Sequence, residues 1–330
     1  MRAMVLDKQG AVEESPLVER ERPTPSPGPG EVLLRVRACG VCHTDLHIVE
    51  GDLPPHKLPL VPGHQIVGVV ERTGDGVSLA PGDRVGVPWL ASSCGACRYC
   101  ASGRENLCES ALFTGYDRDG GFADYAVARE DYCIPLPEGF DDIAAAPLLC
   151  AGTVGYRALR LSEARAGEAL ALYGFGASAH VTIQVARHLG VECWALSRSP
   201  EHRAHAASLG AAWTGHPSEP PPRPTERAII YAPAGEIVPL ALANSARGGV
   251  VVLAGIHMSP IPEMPYELLW GERVLRSVAN ATREDGIELM RLAAEIPIRI
   301  DSETFALSDA NRALASHKQG RVRGGAVLVP

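Results

Sequence analysis

Over the first 140 or so residues the apolar positions come in short β-type runs, EVLLRVRA, QIVGVVER and DRVGVPWL, separated by the turn sequences GPGE, GDGV and APGD. Runs this short, closed by Gly and Pro, predict the strands of a compact β-rich domain. From Leu170 the texture changes. ALALYG is apolar until its glycine, AHVTIQVARHLG has helical spacing, and VECWALS has the content of another strand. Strand, helix, strand opens a parallel sheet. The Pro-rich GHPSEPPPRPT predicts a surface loop, after which RAIIYA, IVPLALANSA and GGVVVLAG supply a second set of units. REDGIELMRLAAE predicts a late helix, and IRIDSETFAL a strand that returns to the first domain. The sequence contains no visible internal repeat.

At 330 residues and 46% hydrophobic content the chain can bury two cores of ordinary size. Its 31 basic and 39 acidic residues leave a net charge of −8, which disfavours nucleic acid as a partner. The opening MRAMVLDKQG lacks the apolar centre of a secretory leader, and no run approaches the 18 or so apolar residues of a membrane span. A cytoplasmic protein with no membrane partner is expected. Nine cysteines, an odd number, point to a reducing compartment and away from a disulfide framework.

Four of them, Cys94, Cys97, Cys100 and Cys108, form the run C-x2-C-x2-C-x7-C. Thiolates so close in sequence can converge on one tetrahedral ion, at about 2.3 Å for zinc, and four of them close the coordination sphere. Such a site is structural. An iron–sulfur cluster is the competing occupant, which spacing alone does not exclude. Candidates for a second, open site lie on either side of the quartet: Cys42, His64 and Cys150. Cys39 reads as a packed small residue, and His56 and His188 as structural.

After ALALY the run Gly174-Phe175-Gly176-Ala177-Ser178-Ala179 is a G-x-G-x-x-A sequence between a predicted strand and a predicted helix. Gly174 suits the tight turn, Gly176 the approach of a pyrophosphate, Ala179 the close packing of helix on strand, and the helix N-terminus offers N–H donors to the anion. At the end of the second strand, where an acid would take the ribose hydroxyls of NAD, the chain has Ser197 and Arg198, with Arg203 close behind. Hydroxyl and guanidinium groups suit a 2′-phosphate, so NADP(H) is the expected cofactor, with NAD(H) possible if the arginines only solvate a helix start.

These motifs, GVCHTDLH, PGHQIVG, PGDRVG, the cysteine quartet, LLCAGTVGY and GFGASA, occur in one order over nearly the full length. In this the chain resembles the zinc-dependent medium-chain alcohol dehydrogenases, especially the bacterial enzymes and the cinnamyl-alcohol-type reductases. The resemblance implies a GroES-like β-rich catalytic domain over 1–149, a Rossmann cofactor domain over 150–285 and a return to the catalytic domain over 286–330. It implies two zinc ions per chain, the catalytic one held by Cys42, His64 and Cys150, a set that leaves the fourth position open. It further implies that Thr44 bonds the alcohol, His47 passes its proton on, His43 lies near the cofactor pyrophosphate and Asp45 orients His64. Trp89 either lines the substrate pocket or fills the β-domain core. One position departs from the family pattern: Gln65 follows His64 where the family has a glutamate.

The expected activity is reversible hydride transfer between a primary alcohol or its aldehyde and NADP(H), in a homo-oligomer, dimer or tetramer. The alternatives are an NAD-dependent alcohol or polyol dehydrogenase, and a zinc-stabilised nucleotide-binding redox sensor without catalysis.

Overall fold

A computed structural model describes residues 1–330 other than Pro297 and Arg323 and assigns the two textures of the sequence to two units. One unit comprises Met1–Cys150, Ala281–Glu295 and Ile300–Pro330, and the other Ala151–Asn280 with Ile296–Arg299. The chain therefore changes units after Cys150 and again after Asn280, where the sequence reading places the changes at 149/150 and 285/286.

In the first unit β1 (Arg2–Leu6) pairs antiparallel with β2 (Leu17–Glu21). The run EVLLRVRA lies in β3 (Glu31–Val41), whose inward residues are fully buried, and a short helix α1 (His43–Glu50) follows directly. QIVGVVER begins β4 (Gln65–Thr73), and DRVGVPWL covers β5 (Arg84–Val87) and the start of β6 (Leu90–Ser92). β7 (Leu112–Phe113) pairs with β6, and β8 (Tyr125–Arg129), β9 (Ile134–Pro135) and the helix α2 (Asp142–Ala145) complete this stretch.

The second unit begins with α3 (Ala151–Ser162) and alternates strand and helix: β10 (Ala169–Tyr173), α4 (Ala177–His188), β11 (Glu192–Leu196), α5 (Pro200–Ser208), β12 (Trp213–Gly215), β13 (Thr225–Ile230), α6 (Ile237–Ala243), β14 (Ser245–Leu253) and β15 (Val274–Ser277). Its sheet is parallel throughout, in the order β12-β11-β10-β13-β14-β15. By order of appearance this is 3-2-1-4-5-6, the doubly wound Rossmann arrangement. All five residues of β10 are buried, as expected of a strand covered on both faces. The order reverses between β10 and β13, so the Gly174 loop leaves the sheet at its switch point, where such sheets bind ligands.

The chain then returns to the first unit through α7 (Arg283–Glu295), β16 (Ser302–Ala306), α8 (Ala310–Lys318) and β17 (Gly325–Val329). β17 pairs antiparallel with β3 and parallel with β16, giving a sheet in the order β16-β17-β3-β4-β5-β9, with β8 also on β3. Its apolar face packs Val32, Leu34, Ile66 and Phe122 into one core. Among the described residues no helix is long and apolar enough to cross a membrane.

Candidate active site

Cys42, His64 and Cys150 are brought together from three different elements of the first unit. Cys42 is the N-cap of α1: its sulfur accepts from the backbone N–H of Thr44, while Asp45 Oδ2 accepts from the N–H of Cys42 at 3.0 Å. His64 precedes β4 at the end of a segment pinned to residues 120–122, Gly120 donating to the Val61 carbonyl and Gly121 to that of Gly63. Gly63 has a φ of +97°, and a Cβ there would lie 2.4 Å from the Phe122 ring, so only glycine allows this crossing. Cys150 ends the 3-10 turn after α2.

The sulfur of Cys42 lies 3.3 Å from His64 Nε2 and 4.0 Å from the sulfur of Cys150, and the three ligand atoms lie within 4.8 Å of one another. Behind them, buried Asp45 places Oδ1 at 3.0 Å from His64 Nδ1 and accepts from the N–H of Gly63. That bond fixes which ring nitrogen faces the sulfurs. Bonding to Cys150 holds the Cys42 thiol well below its ordinary pKa, whereas the same bond and burial raise Cys150. Burial opposes a charge on His64, yet Asp45 and the Cys42 thiolate outweigh it and raise its pKa to about 10. The site thus favours a cation, and a divalent metal can take the place of the proton. Two thiolates and an imidazole are a donor set for zinc.

Beside this cluster, Thr44 is buried on α1 and His47 lies one turn further, on the same side of the helix. His43 is exposed, and its Nδ1 lies 2.9 Å from Nε2 of His317 on α8. Trp89 is a core residue that also meets His64 edge-on at 4.9 Å, and its other contacts are stacked, with Phe113 at 5.0 Å and Tyr116 at 5.8 Å. Gln65 is buried, and its side chain lies against Gly40 of β3, 2.8 Å from where a Cβ would stand.

Cys94, Cys97, Cys100 and Cys108 form a second cluster, with sulfurs 3.6 Å apart for Cys97 and Cys100 and 3.9 Å for Cys94 and Cys100. Backbone N–H groups of Ala96 and Cys97 lower the Cys94 thiol to about 6. Cys108 receives an N–H from Cys94, but burial and the neighbouring thiols push it up to about 11. Four thiolates this close ionise together only around a cation.

In the second unit Gly174 follows β10 with a φ of +89°, and a Cβ there would meet the Ala232 backbone nitrogen at 2.9 Å. Gly176 is the N-cap of α4 and has no side-chain cap; a Cβ on it would meet nothing of the protein within 4 Å, and Ala179 is buried. A tight turn, an open approach and uncapped N–H groups fit a phosphate. After β11, Ser197 is buried and Arg198 exposed. Arg203, expected to face a cofactor phosphate, donates from Nη1 to the carbonyls of Ser197 at 2.6 Å and Arg198 at 3.1 Å, which braces the turn. The sequence reading also passed over Glu201, whose carboxylate accepts from the Ser199 hydroxyl at 2.6 Å and stands beside this turn. Two further residues at the first site went unread, Asp52 next to His47 and His317 next to His43. The signal for Asp52 was Gly51 closing α1 immediately before it; His317 carries no local signal.

Residues 28–138 match the family model for the alcohol dehydrogenase GroES-like domain. The chain is 42% identical over its whole length to a probable alcohol dehydrogenase of Mycobacterium tuberculosis (strain CDC 1551 / Oshkosh), covering 97% of that protein. It is 38% identical to an alcohol dehydrogenase of Geobacillus stearothermophilus over 97% of this chain and 99% of the other. A solved structure of a cobalt- and zinc-bound thermostable alcohol dehydrogenase from Pyrobaculum aerophilum superposes with a TM-score of 0.90 at 28% identity, covering 100% of this chain and 99% of that one.

Proposed function

The chain belongs to the zinc-dependent medium-chain alcohol dehydrogenases and is an alcohol dehydrogenase, and from that premise we propose that it interconverts a primary alcohol and its aldehyde using NADP(H). The observation that carries this reading is the convergence of Cys42, His64 and Cys150 with Asp45 behind them. These three residues would hold a zinc ion and leave its fourth position open, and the cysteine quartet would hold a second, structural zinc. When bound, zinc supplies Lewis acidity at the substrate oxygen and the nicotinamide carries the hydride. Thr44 hydrogen-bonds the alcohol, and His47 takes its proton onward. Asp45 and Gln65 surround the ligands, His43 receives a cofactor phosphate, and Trp89 presents an apolar wall beside His64. Gly174, Gly176 and Ala179 shape the phosphate cradle at the start of α4.

Ser197 and Arg198 support the NADP(H) preference, with Arg203 as a brace. Glu201 favours a second reading, an NAD-dependent alcohol or polyol dehydrogenase, because it brings a carboxylate to the same turn. A redox sensor without catalysis has no use for an open ligand position backed by Asp45. The test is NADPH and NADH oxidation side by side with a panel of aldehydes, on the parent and on Arg198→Ala. Loss of a charge-assisted hydrogen bond of about 1.5–3 kcal/mol should raise the KM for NADPH roughly 10- to 150-fold and leave that for NADH nearly unchanged. A parent that prefers NADH transfers the assignment to the second reading.

The same reading puts the enzyme in the cytoplasm, where its free cysteines stay reduced, and in a homo-oligomer. Support for self-association lies in the segment that leads into the outer strand β15: Tyr266 and Trp270, 71% and 58% exposed, line with Arg247 a shallow cavity of about 690 Å³. Two large aromatics this exposed mark an interaction surface.

A further inference from the structure

The last turn of α8 lies against α1, and several bonds fix it there. Lys318 donates to Glu50 of α1 at 2.8 Å and to Glu13, in the 3-10 turn Val12–Glu14, at 3.0 Å. Glu50 also accepts from the N–H of Val12 at 3.0 Å, which ties that turn to α1. Further back on α8, the Asn311 amide accepts from the N–H of Leu17 at 3.1 Å and donates to the carbonyl of the same residue at 2.8 Å. All of these residues belong to the first unit, so His317, one residue before Lys318, reaches α1 from a fixed base.

His317 Nε2 lies 2.9 Å from Nδ1 of His43, and the two rings meet edge to face with centres 4.4 Å apart. A contact this short between imidazole nitrogens holds one proton, with one ring donating and the other accepting. Burial, and after it His43, press the pKa of His317 down to about 4, so this ring is neutral at neutral pH. Two arrangements are then open to a neutral pair. If His43 donates from Nδ1, its Nε2 is a bare lone pair, which repels a phosphate oxygen. If His317 donates from Nε2, His43 keeps its proton on Nε2 and offers that N–H to a ligand. His43 is exposed, and the neighbouring His47, its ring centre 6.4 Å away, meets Asp52.

We propose that His317 is the positioning residue of the cofactor-phosphate contact: it donates Nε2–H to Nδ1 of His43 and so keeps the Nε2–H of His43 as the donor to the anion. The step rests on the role given above to His43 as the receiver of a cofactor phosphate. Its effect is pre-organisation. An imidazole without such a partner divides between two tautomers and several ring orientations, and only a fraction of it presents an N–H to the ligand; the bond from His317 removes the wrong tautomer beforehand. The phosphates addressed are those common to NADPH and NADH, so His317 serves affinity for both and takes no part in choosing between them. Because a pyrophosphate has no share in the hydride step, loss of the bond should appear in cofactor binding and not in the KM for alcohol.

The test compares the zinc-loaded parent with His317→Ala, His317→Gln and His43→Ala, using dissociation constants for NADPH and NADH from fluorescence titration. In the parent, nitrogen-15 spectra should show the His43 ring protonated on Nε2, and in His317→Ala a mixture of the two tautomers. His317→Ala should weaken NADPH and NADH by the same factor, about tenfold, the lower end for a charge-assisted hydrogen bond, with the KM for alcohol little changed. His317→Gln keeps an N–H donor on a flexible stem and should fall between the two. A role in packing alone would not produce that recovery, and this variant decides the matter if the alanine variant folds poorly. If His43→Ala weakens both cofactors while the His317 variants keep the parent's constants and tautomer, the assignment to His317 is overturned and the role of His43 stands. If His43→Ala binds both cofactors as the parent does, the phosphate reading of His43 fails and His317 with it. A loss confined to NADPH would move the contact to the 2′-phosphate and likewise overturn the proposal.

Discussion

Gln65 enters β4 directly after His64 and packs its amide on Gly40, the residue that it faces in the β3–β4 register. A carboxylate at this position would add a third negative group near a cluster that already contains the Asp45 carboxylate and the lowered Cys42 thiol. With no metal present such a charge is costly to bury; with a divalent cation it is compensated. Gln65→Glu should therefore hold zinc at least as tightly and turn over no more slowly, with up to about a tenfold rise in the chelator concentration needed to strip the site. Zinc content after graded chelation, read alongside kcat, checks both halves. Lost activity at full zinc content would give Gln65 a positive part in shaping the substrate site. At this scale the sequence was most legible where spacing carries the chemistry, as in the cysteine quartet, and where the family resemblance supplied a set, as for Cys42, His64 and Cys150; the members of both clusters converge. It was least legible where contacts distant in sequence or made by direction decide a side chain's setting: the bonds from Arg203 Nη1 to two backbone carbonyls and the meeting of His317 with His43 have no local signal.

Elements with a strong apolar period emerged where the sequence put them: RAIIYA overlaps β13, GGVVVLAG overlaps β14, and REDGIELMRLAAE is α7. Helix α1 was hidden because HTDLHIVE has little apolar periodicity and because its N-cap is a cysteine, whose sulfur does what a serine or aspartate oxygen usually does. β12 was hidden by its three-residue length beside the Pro-rich loop, and it exists because Trp194 and Leu196 of β11 offer it a register. The cysteine lobe is the opposite case, since it has hardly any regular structure: two 3-10 turns and the pair β6–β7, with Cys94 exposed and Cys97 and Cys100 half-buried. With so little apolar burial, a metal held by the quartet would be the main source of order, and its binding energy would be folding energy. Cys100→Ser should lower the melting temperature and release one zinc. Cys42→Ser should leave the melting temperature close to the parent's while abolishing turnover, because α1 keeps a hydroxyl cap in place of the sulfur. Paired calorimetry, metal analysis and kinetics on the two variants check the contrast. Destabilisation at Cys100 should also spread, since Glu105 in the lobe accepts from the backbone and side chain of Arg283 at the start of α7.

For the whole molecule, the exposed aromatic pair near β15 makes assembly the property to test. Trp270→Glu replaces an exposed aromatic of that cavity with a charge and should shift the protein to a smaller species in sedimentation at micromolar concentration, with the melting curve of each protomer preserved. An unchanged sedimentation mass would place the oligomer contact elsewhere. The pairing of β17 with β3 has a consequence of another kind. Leu328, Val327 and Ala326 lie opposite Cys39, Gly40 and Val41, the last residues before Cys42, so neighbours in this sheet are nearly a chain length apart in sequence. Synthesis runs from the N-terminus, and contacts between distant segments wait for the later one to emerge. The strand leading into the first cysteine of the open cluster is therefore left without one of its partners through most of translation. On the ribosome the quartet of residues 94–108 is complete long before the sheet beside Cys42, so an ion held by the quartet would precede one held by the open cluster in the life of each chain.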